Sequence, residues 1–283
     1  MNTELILKPK KKFSIGGALC LLTAAALLGF LLWEALVNII SVANNLYYVF
    51  IQLRVYALYI SSSVYLTNAI GNIGSLVTEL CSLVTVAALV LFGVLILFKV
   101  KTRFLGVILF APAAVSALSL LLLIVTRGAQ VVIWLLFDVS TAVSFFVQYL
   151  IYGSISAIPT AAMALCWVAL AIVVLVFGGS KKYSEKKAAL SIVVAAIMAL
   201  LFVSATAVGF GAALLSNGLT VLGWFMDIVR GYPMFGRSFV TSAITVLLSL
   251  LYSVVKCGVL GALYGLAVFF SVKWIIAPFK KVR

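Results

Sequence analysis

Hydrophobic positions in this chain fall into six runs long enough to cross a bilayer, which takes roughly 20 apolar residues. They cover about 13–33, 80–98, 104–126, 157–177, 188–210 and 254–272, the last within a longer helix-like stretch that begins near Phe239. Three further stretches have a different pattern. In 130–152, polar or amphipathic residues recur at steps of three and four: Gln130, Trp134, Asp138, Thr141, Ser144, Gln148 and Tyr152. In 45–66 the series is Asn45, Tyr48, Gln52, Tyr56, Tyr59 and Ser63, and in 213–238 a shorter one runs Asn217, Thr220, Trp224 and Asp227. Such steps put the residues on one face of a helix.

Charge decides how these stretches lie. Lys8, Lys10, Lys11 and Lys12 precede the first run, and Lys99, Lys101 and Arg103 separate the second from the third. Lys181, Lys182, Lys186 and Lys187 separate the fourth from the fifth, and Lys273, Lys280, Lys281 and Arg283 close the chain. Short basic loops stay on the cytoplasmic face, where anionic lipid attracts them. If 46–66 or 131–152 crossed the membrane, the clusters on either side would fall on opposite faces. The pattern therefore predicts amphipathic helices that lie at, or project from, the outer surface. Most tyrosines sit in these outer stretches, which suits a ring with an apolar body and a wet hydroxyl.

The expected architecture is an all-α polytopic membrane protein of about six transmembrane helices arranged as three hairpins. A basic cytoplasmic N-terminus, 1–12, leads into hairpin 1 (13–99, outer helix about 45–66). Hairpin 2 follows (101–181, outer helix about 130–152), then hairpin 3 (187–283, outer segment about 213–238). Both termini are expected in the cytoplasm, in a cell (inner) membrane. The 21 residues from Phe13 to Trp33 are longer than the ~7–15-residue core of a signal peptide, so they read as an uncleaved span. The hairpins suggest an internal repeat: Cys81 precedes Phe92-Gly93 at the same spacing as Cys166 precedes Phe177-Gly178.

Composition agrees with the membrane reading. Of 283 residues, 66% are hydrophobic and 9% charged, against about 25% charged in soluble domains. The net charge of +14 sits at the ends of apolar runs. It lacks the interleaved basic and aromatic face of a nucleic-acid binder, so anionic lipid, and no nucleic acid, is the expected partner. Four dispersed cysteines imply neither disulfides nor a metal site. The absence of histidine excludes Ser-His and Cys-His catalysis, HExxH zinc chemistry and haem ligation by His. No cofactor and no catalytic residues are expected.

Ionisable residues away from the basic clusters are the functional candidates. Arg54, Glu79, Arg127, Asp138, Gln148, Asp227 and Arg230 make up a candidate outer vestibule for a polar solute. Expected pairings are Glu34 or Glu79 with Arg54, Asp138 with Arg127, and Asp227 with Arg230. Glu79 and Lys256 lie about 25–30 Å from Lys99 and Lys273 along a helix, which puts them near the outer headgroups. Asn68, Asn72 and Glu79 read as capping groups at a span entry, and Gly71-Asn-Ile-Gly74 and Gly178-Gly179 as turn or helix-end punctuation. Gly261-x-x-x-Gly265, Gly258-x-x-x-Ala262 and Ala205-x-x-x-Gly209 are close-packing stripes, serving either the protomer or a dimer. Pro112 is expected to kink the third span, and Pro159 to stand near the start of the fourth. The expected function is a non-catalytic scaffold or channel-forming subunit of a transport or secretion assembly, with other subunits as partners. The alternative is a stand-alone small-solute transporter or pore.

Overall fold

The structure, a computed structural model, describes residues 14–55, 59–137, 139–178, 185–229 and 237–277. It is helical throughout: α1 (Ile15–Val55), α2 (Tyr59–Leu97), the short α3 (Phe104–Ile108), α4 (Phe110–Phe137), α5 (Val139–Phe177), α6 (Glu185–Val229) and α7 (Arg237–Ile276). Among the described residues, 6 segments are long and apolar enough to cross a membrane, and their mean hydropathy is 2.0–2.8. Large apolar side chains such as Leu80, Ile124, Leu165, Leu200 and Leu247 point outward. Water would not tolerate that surface over so many turns, whereas lipid does. The chain is a multi-pass membrane protein.

The helices pair into three hairpins, α1–α2, α4–α5 and α6–α7, and the hairpins join by α2–α4, α5–α6 and α1–α7 contacts. Each long helix therefore touches its sequence neighbours, and the first touches the last. The result is a closed ring. Both described chain ends meet at one end of the ring, here the base: Lys101 Nζ donates to the Ala277 carbonyl at 2.9 Å, and Gly16 abuts the backbone of Ser271. The opposite end, the tip, holds the far ends of the paired helices.

The stretches 45–66, 130–152 and 213–238 are not separate helices lying on a surface. Each is shared between the end of one long helix and the start of the next, since α1 runs to Val55, α4 to Phe137 and α6 to Val229. They project as the tips of hairpins. At ~1.5 Å per residue, α1 with its 41 residues is about 60 Å long, twice the roughly 30 Å of a hydrocarbon core. Where the side chains of these stripes are described, several meet the neighbouring helix. Tyr48 stacks on Tyr65 at 5.1 Å, and Ser249 Oγ donates to Asn217 Oδ1 at 2.9 Å. Trp224 meets Phe239 edge to face at 5.7 Å, while Gln130 and Trp134 are buried.

Packing is dense at the base and open toward the tip. The buried cluster comes from the base halves of the helices, including Phe92, Ile96, Leu105, Leu170, Val174 and Val272. Trp167 (α5) meets Phe202 (α6) and Tyr264 (α7) edge to face at 4.9 and 5.8 Å between centroids, and Phe202 and Tyr264 lie tilted to each other at 5.7 Å. Lipid tails are as apolar as these side chains, so close van der Waals fit, rather than exclusion of water, holds such helices together. Glycines supply that fit. A Cβ at Gly17 would lie 2.7 Å from the Gly93 carbonyl oxygen, which lets α1 and α2 touch backbone to backbone. Gly261 and Gly265 admit Thr206 and Val203 of α6, so this stripe packs within the protomer. Gly258 and Ala262 are exposed. Cys20, Cys81, Cys166 and Cys257 are free thiols.

Local backbone features follow from sequence. α2 ends with Lys99 in the left-handed region (φ 59°). The Val100 N–H bonds the Leu95 carbonyl at 3.0 Å, and the Lys99 N–H bonds Ile96 at 2.9 Å, which is the Schellman pattern of a helix stop. Gly178 similarly closes α5, its N–H on the Val174 carbonyl at 2.7 Å. Pro112 has no N–H for the carbonyl of Ile108 and its ring crowds that oxygen, so the third span breaks into α3 and α4 at Leu109. Pro159 stands near the start of the fourth span, Ala157–Phe177, as expected, but inside α5, because that helix begins earlier, at Val139.

Candidate functional site

Above the packed base the ring opens into three adjoining cavities of about 410, 490 and 440 Å³. Arg127 lines all three, and Glu34 lines the first two. Side chains from α1, α2, α4, α5, α6 and α7 form the walls between them, so the vestibule belongs to the whole ring.

Four charged residues stand in the middle third of the ring's height. Counting ~1.5 Å per residue from the base end of each helix, Glu34, Glu79, Arg127 and Lys256 all fall about 27–35 Å up. Lys256 Nζ and Glu34 Oε1 form an ion pair at 2.5 Å, and the Tyr252 hydroxyl donates to the same oxygen at 3.0 Å. This trio bridges α1 and α7. On the neighbouring wall Asn38 Nδ2 donates to Glu79 Oε1 at 2.5 Å, while Glu79 Oε2 is buried without a hydrogen-bond partner. Arg127 donates to Gln130 Oε1 at 3.1 Å, and Gln130 Nε2 donates onward to the Thr67 carbonyl at 2.8 Å. A second amide, Asn72 Nδ2, donates to Ser41 Oγ at 2.7 Å.

Backbone details make the room. Gly71 and Gly74 are not turn residues: they lie inside α2, where a Cβ would collide with Gln130 and Thr126 of α4. Their missing side chains let α4 approach with its polar face inward. Asn68 and Asn72 also lie within α2 and line the third cavity, so they are not caps. Pro159 and Ile155 line the second cavity. Pro159 withholds the N–H that the Ile155 carbonyl would otherwise receive, and a membrane helix tolerates that loss where it borders a polar space.

Of the residues expected from sequence, Glu79 and Arg127 converge on the first cavity. Asp138 and Arg230 lie outside the described residues, as do the side chains of Arg54, Gln148 and Asp227. Glu34 pairs with Lys256, since closure of the ring brings α7 beside α1; the expected pairing of Glu34 or Glu79 with Arg54 involves a side chain outside the described ones. Glu34, Asn38, Gln130, Tyr252 and Lys256 also line the cavities; the sequence marks Glu34 and Lys256 as isolated charges and Gln130 as part of a polar stripe, while nothing in it singles out Asn38 or Tyr252. The usable signal was distance: Glu34 and Lys256 stand 19 and 20 residues from the base ends of their helices. Among the described residues, no three His, Cys, Asp or Glu side chains gather as metal ligands. No protein-family model, curated protein or solved structure matches the chain.

Proposed function

We propose that this chain is a non-catalytic transporter or pore that admits a small polar solute from the tip end into the vestibule. One observation carries the reading. Glu34, Glu79, Arg127 and Lys256 reach from four helices into cavities large enough for a small molecule, yet each belongs to a helix otherwise suited to lipid. Charges and amides in a membrane domain are costly and mark solute or ion pathways. The aromatic packing of Trp167, Phe202 and Tyr264 below is a natural barrier on the base side. We place the base at the cytoplasmic face of the cell membrane because Lys99, Lys101, Arg103 and Lys273 cluster there. The test is uptake of a panel of radiolabelled small solutes by liposomes containing the purified protein. At least one solute should enter and Arg127→Gln should abolish the flux; no uptake of any solute by the wild type overturns the reading.

A second reading, a subunit of a larger assembly, is favoured by the tips. Phe50, Leu136 and Val229 are strongly exposed at about 50 Å or more from the base, beyond the reach of a roughly 30 Å hydrocarbon layer. Apolar surface there suits a partner protein. Purification from the native membrane in mild detergent should then retain a stoichiometric second protein, and a monodisperse sample of this chain alone counts against it.

A further inference from the structure

We infer that the third cavity is a subsite for an uncharged, hydroxyl-rich solute of about monosaccharide size. This deepens the solute-vestibule reading and rests on it.

Wall chemistry sets the class of ligand. Ser41 and Asn45 of α1, Asn68, Asn72 and Ser75 of α2, and Gln130 of α4 line this space of about 440 Å³, with Gly71 and Arg127 completing it. Among the described residues on its walls there is no carboxylate and no alkyl side chain. Carboxamides are costly in such helices unless something hydrogen-bonds them, and here Asn45, Asn68, Asn72 and Gln130 gather around one space.

Bonds within the protein decide which atoms are left for a ligand. Gln130 is used at both ends, accepting from Arg127 and donating to the Thr67 carbonyl, so it braces the α4 wall. Asn45 Nδ2 donates to the Ser41 carbonyl at 2.9 Å, and Asn72 Nδ2 donates to Ser41 Oγ at 2.7 Å. Each of these two asparagines keeps its Oδ1 as an acceptor. Ser75 donates back to the Gly71 carbonyl at 3.2 Å and keeps its oxygen as another. Among the described residues Asn68 has no hydrogen-bond partner, so its amide offers both a donor and an acceptor.

A hydroxyl donates and accepts at one atom, so a run of hydroxyls satisfies this mixed wall. A carboxylate only accepts, and it would face the Asn45 and Asn72 oxygens. An ammonium only donates, and no carboxylate lines the space to compensate for the water it loses. Glu79 lies seven residues from Asn72 toward the base, about 10 Å along α2. Position agrees with the chemistry. At ~1.5 Å per residue, Ser41, Asn45, Asn68 and Asn72 stand about 38–45 Å above the base, tipward of the four charged residues. A solute entering from the tip meets these amides first. The volume lies within the roughly 300–1,000 Å³ of small-molecule sites.

The test is calorimetric titration of the wild-type protein in nanodiscs with glycerol, xylitol, glucose, glucosamine, glucuronate and cyclohexanol. At least one of glycerol, xylitol and glucose should bind on the order of 10–100-fold more tightly than the other three probes, the scale of a polar group left unpaired. Asn68→Leu should lower that affinity by about 10-fold. If glucosamine, glucuronate or cyclohexanol binds as well as every polyol, the inference falls while the vestibule stands. Full polyol affinity in Asn68→Leu overturns it in the same way. If no probe binds but another solute is taken up by liposomes, the inference again falls alone. No binding and no uptake of any kind overturns both. The wild-type panel decides between these outcomes even if the variant fails to fold.

Discussion

Glu34 of α1 and Lys256 of α7 are bonded to each other across the seam where the first and last helices close the ring. Their side chains keep 25% and 30% exposure toward the vestibule, so the pair is neither fully desolvated nor loose in water. Removing one partner leaves a charge in a poorly hydrated place. Glu34→Gln and Lys256→Met are each expected to lower stability by about 1–3 kcal/mol, below the range for fully buried pairs. The double variant should lose less than the sum, with a coupling of about 1 kcal/mol. Thermal unfolding in detergent across the four proteins measures it.

The base is expected to be far less tolerant than the lipid face. Trp167 is almost fully buried against Phe202 and Tyr264, whereas Leu165, two residues away, faces outward. Trp167→Ala should cost roughly 3 kcal/mol through the cavity it leaves. Leu165→Ala should change unfolding by less than about 0.5 kcal/mol. Equal losses at the two sites would mean that the base is not close-packed.

Lys101 gives the base a pH dependence. It lies between spans, with its ammonium over the Trp274 ring at 5.0 Å and on the Ala277 carbonyl. Burial holds its pKa below the ordinary value of about 10.5. The unfolded chain therefore binds more protons than the folded one between the lowered pKa and 10.5, and stability rises with pH through that window. Lys101→Met should remove this component. Denaturation of both proteins from neutral to strongly alkaline pH checks the sign: the wild type should gain relative to the variant.

Orientation is open to labelling. In a cysteine-free background, Ser62→Cys near the first hairpin tip should react with an impermeant maleimide only from outside intact cells. Ser184→Cys, in the connection at the base, should react only after the membrane is opened. Labelling of both from one side would contradict the common orientation of the hairpins.

Much of this was legible in the chain. Each of the six apolar runs overlaps one of the six membrane-length segments, several of which extend farther toward the tip, because long hydrophobic periodicity outlasts any local ambiguity. The steps of three and four in 45–66, 130–152 and 213–238 reported a shared face, but not what that face meets. Gln130 illustrates the difference. Its periodicity was visible, whereas its inward direction depends on Gly71, more than fifty residues earlier, leaving space on α2. Gly71 and Gly74 looked like turn residues for the same reason: a glycine that admits a neighbouring helix and one that bends the chain are identical in local sequence. The Glu34–Lys256 pair needed closure of the ring, a fact held by no single segment.

That closure has a consequence for the order of the chain. Because α1 lies beside α7 and both described ends meet at the base, the places where the chain starts and stops are not dictated by the packing. A linker joining the two ends, with new termini opened between α2 and α3 or between α5 and α6, would preserve every helix contact; circular permutation succeeds where the chain is cut between packed elements rather than within them. The three hairpins then become interchangeable starting points for synthesis and insertion. A permuted chain that recovers the parent's unfolding temperature would show that the architecture is a cycle rather than a sequence.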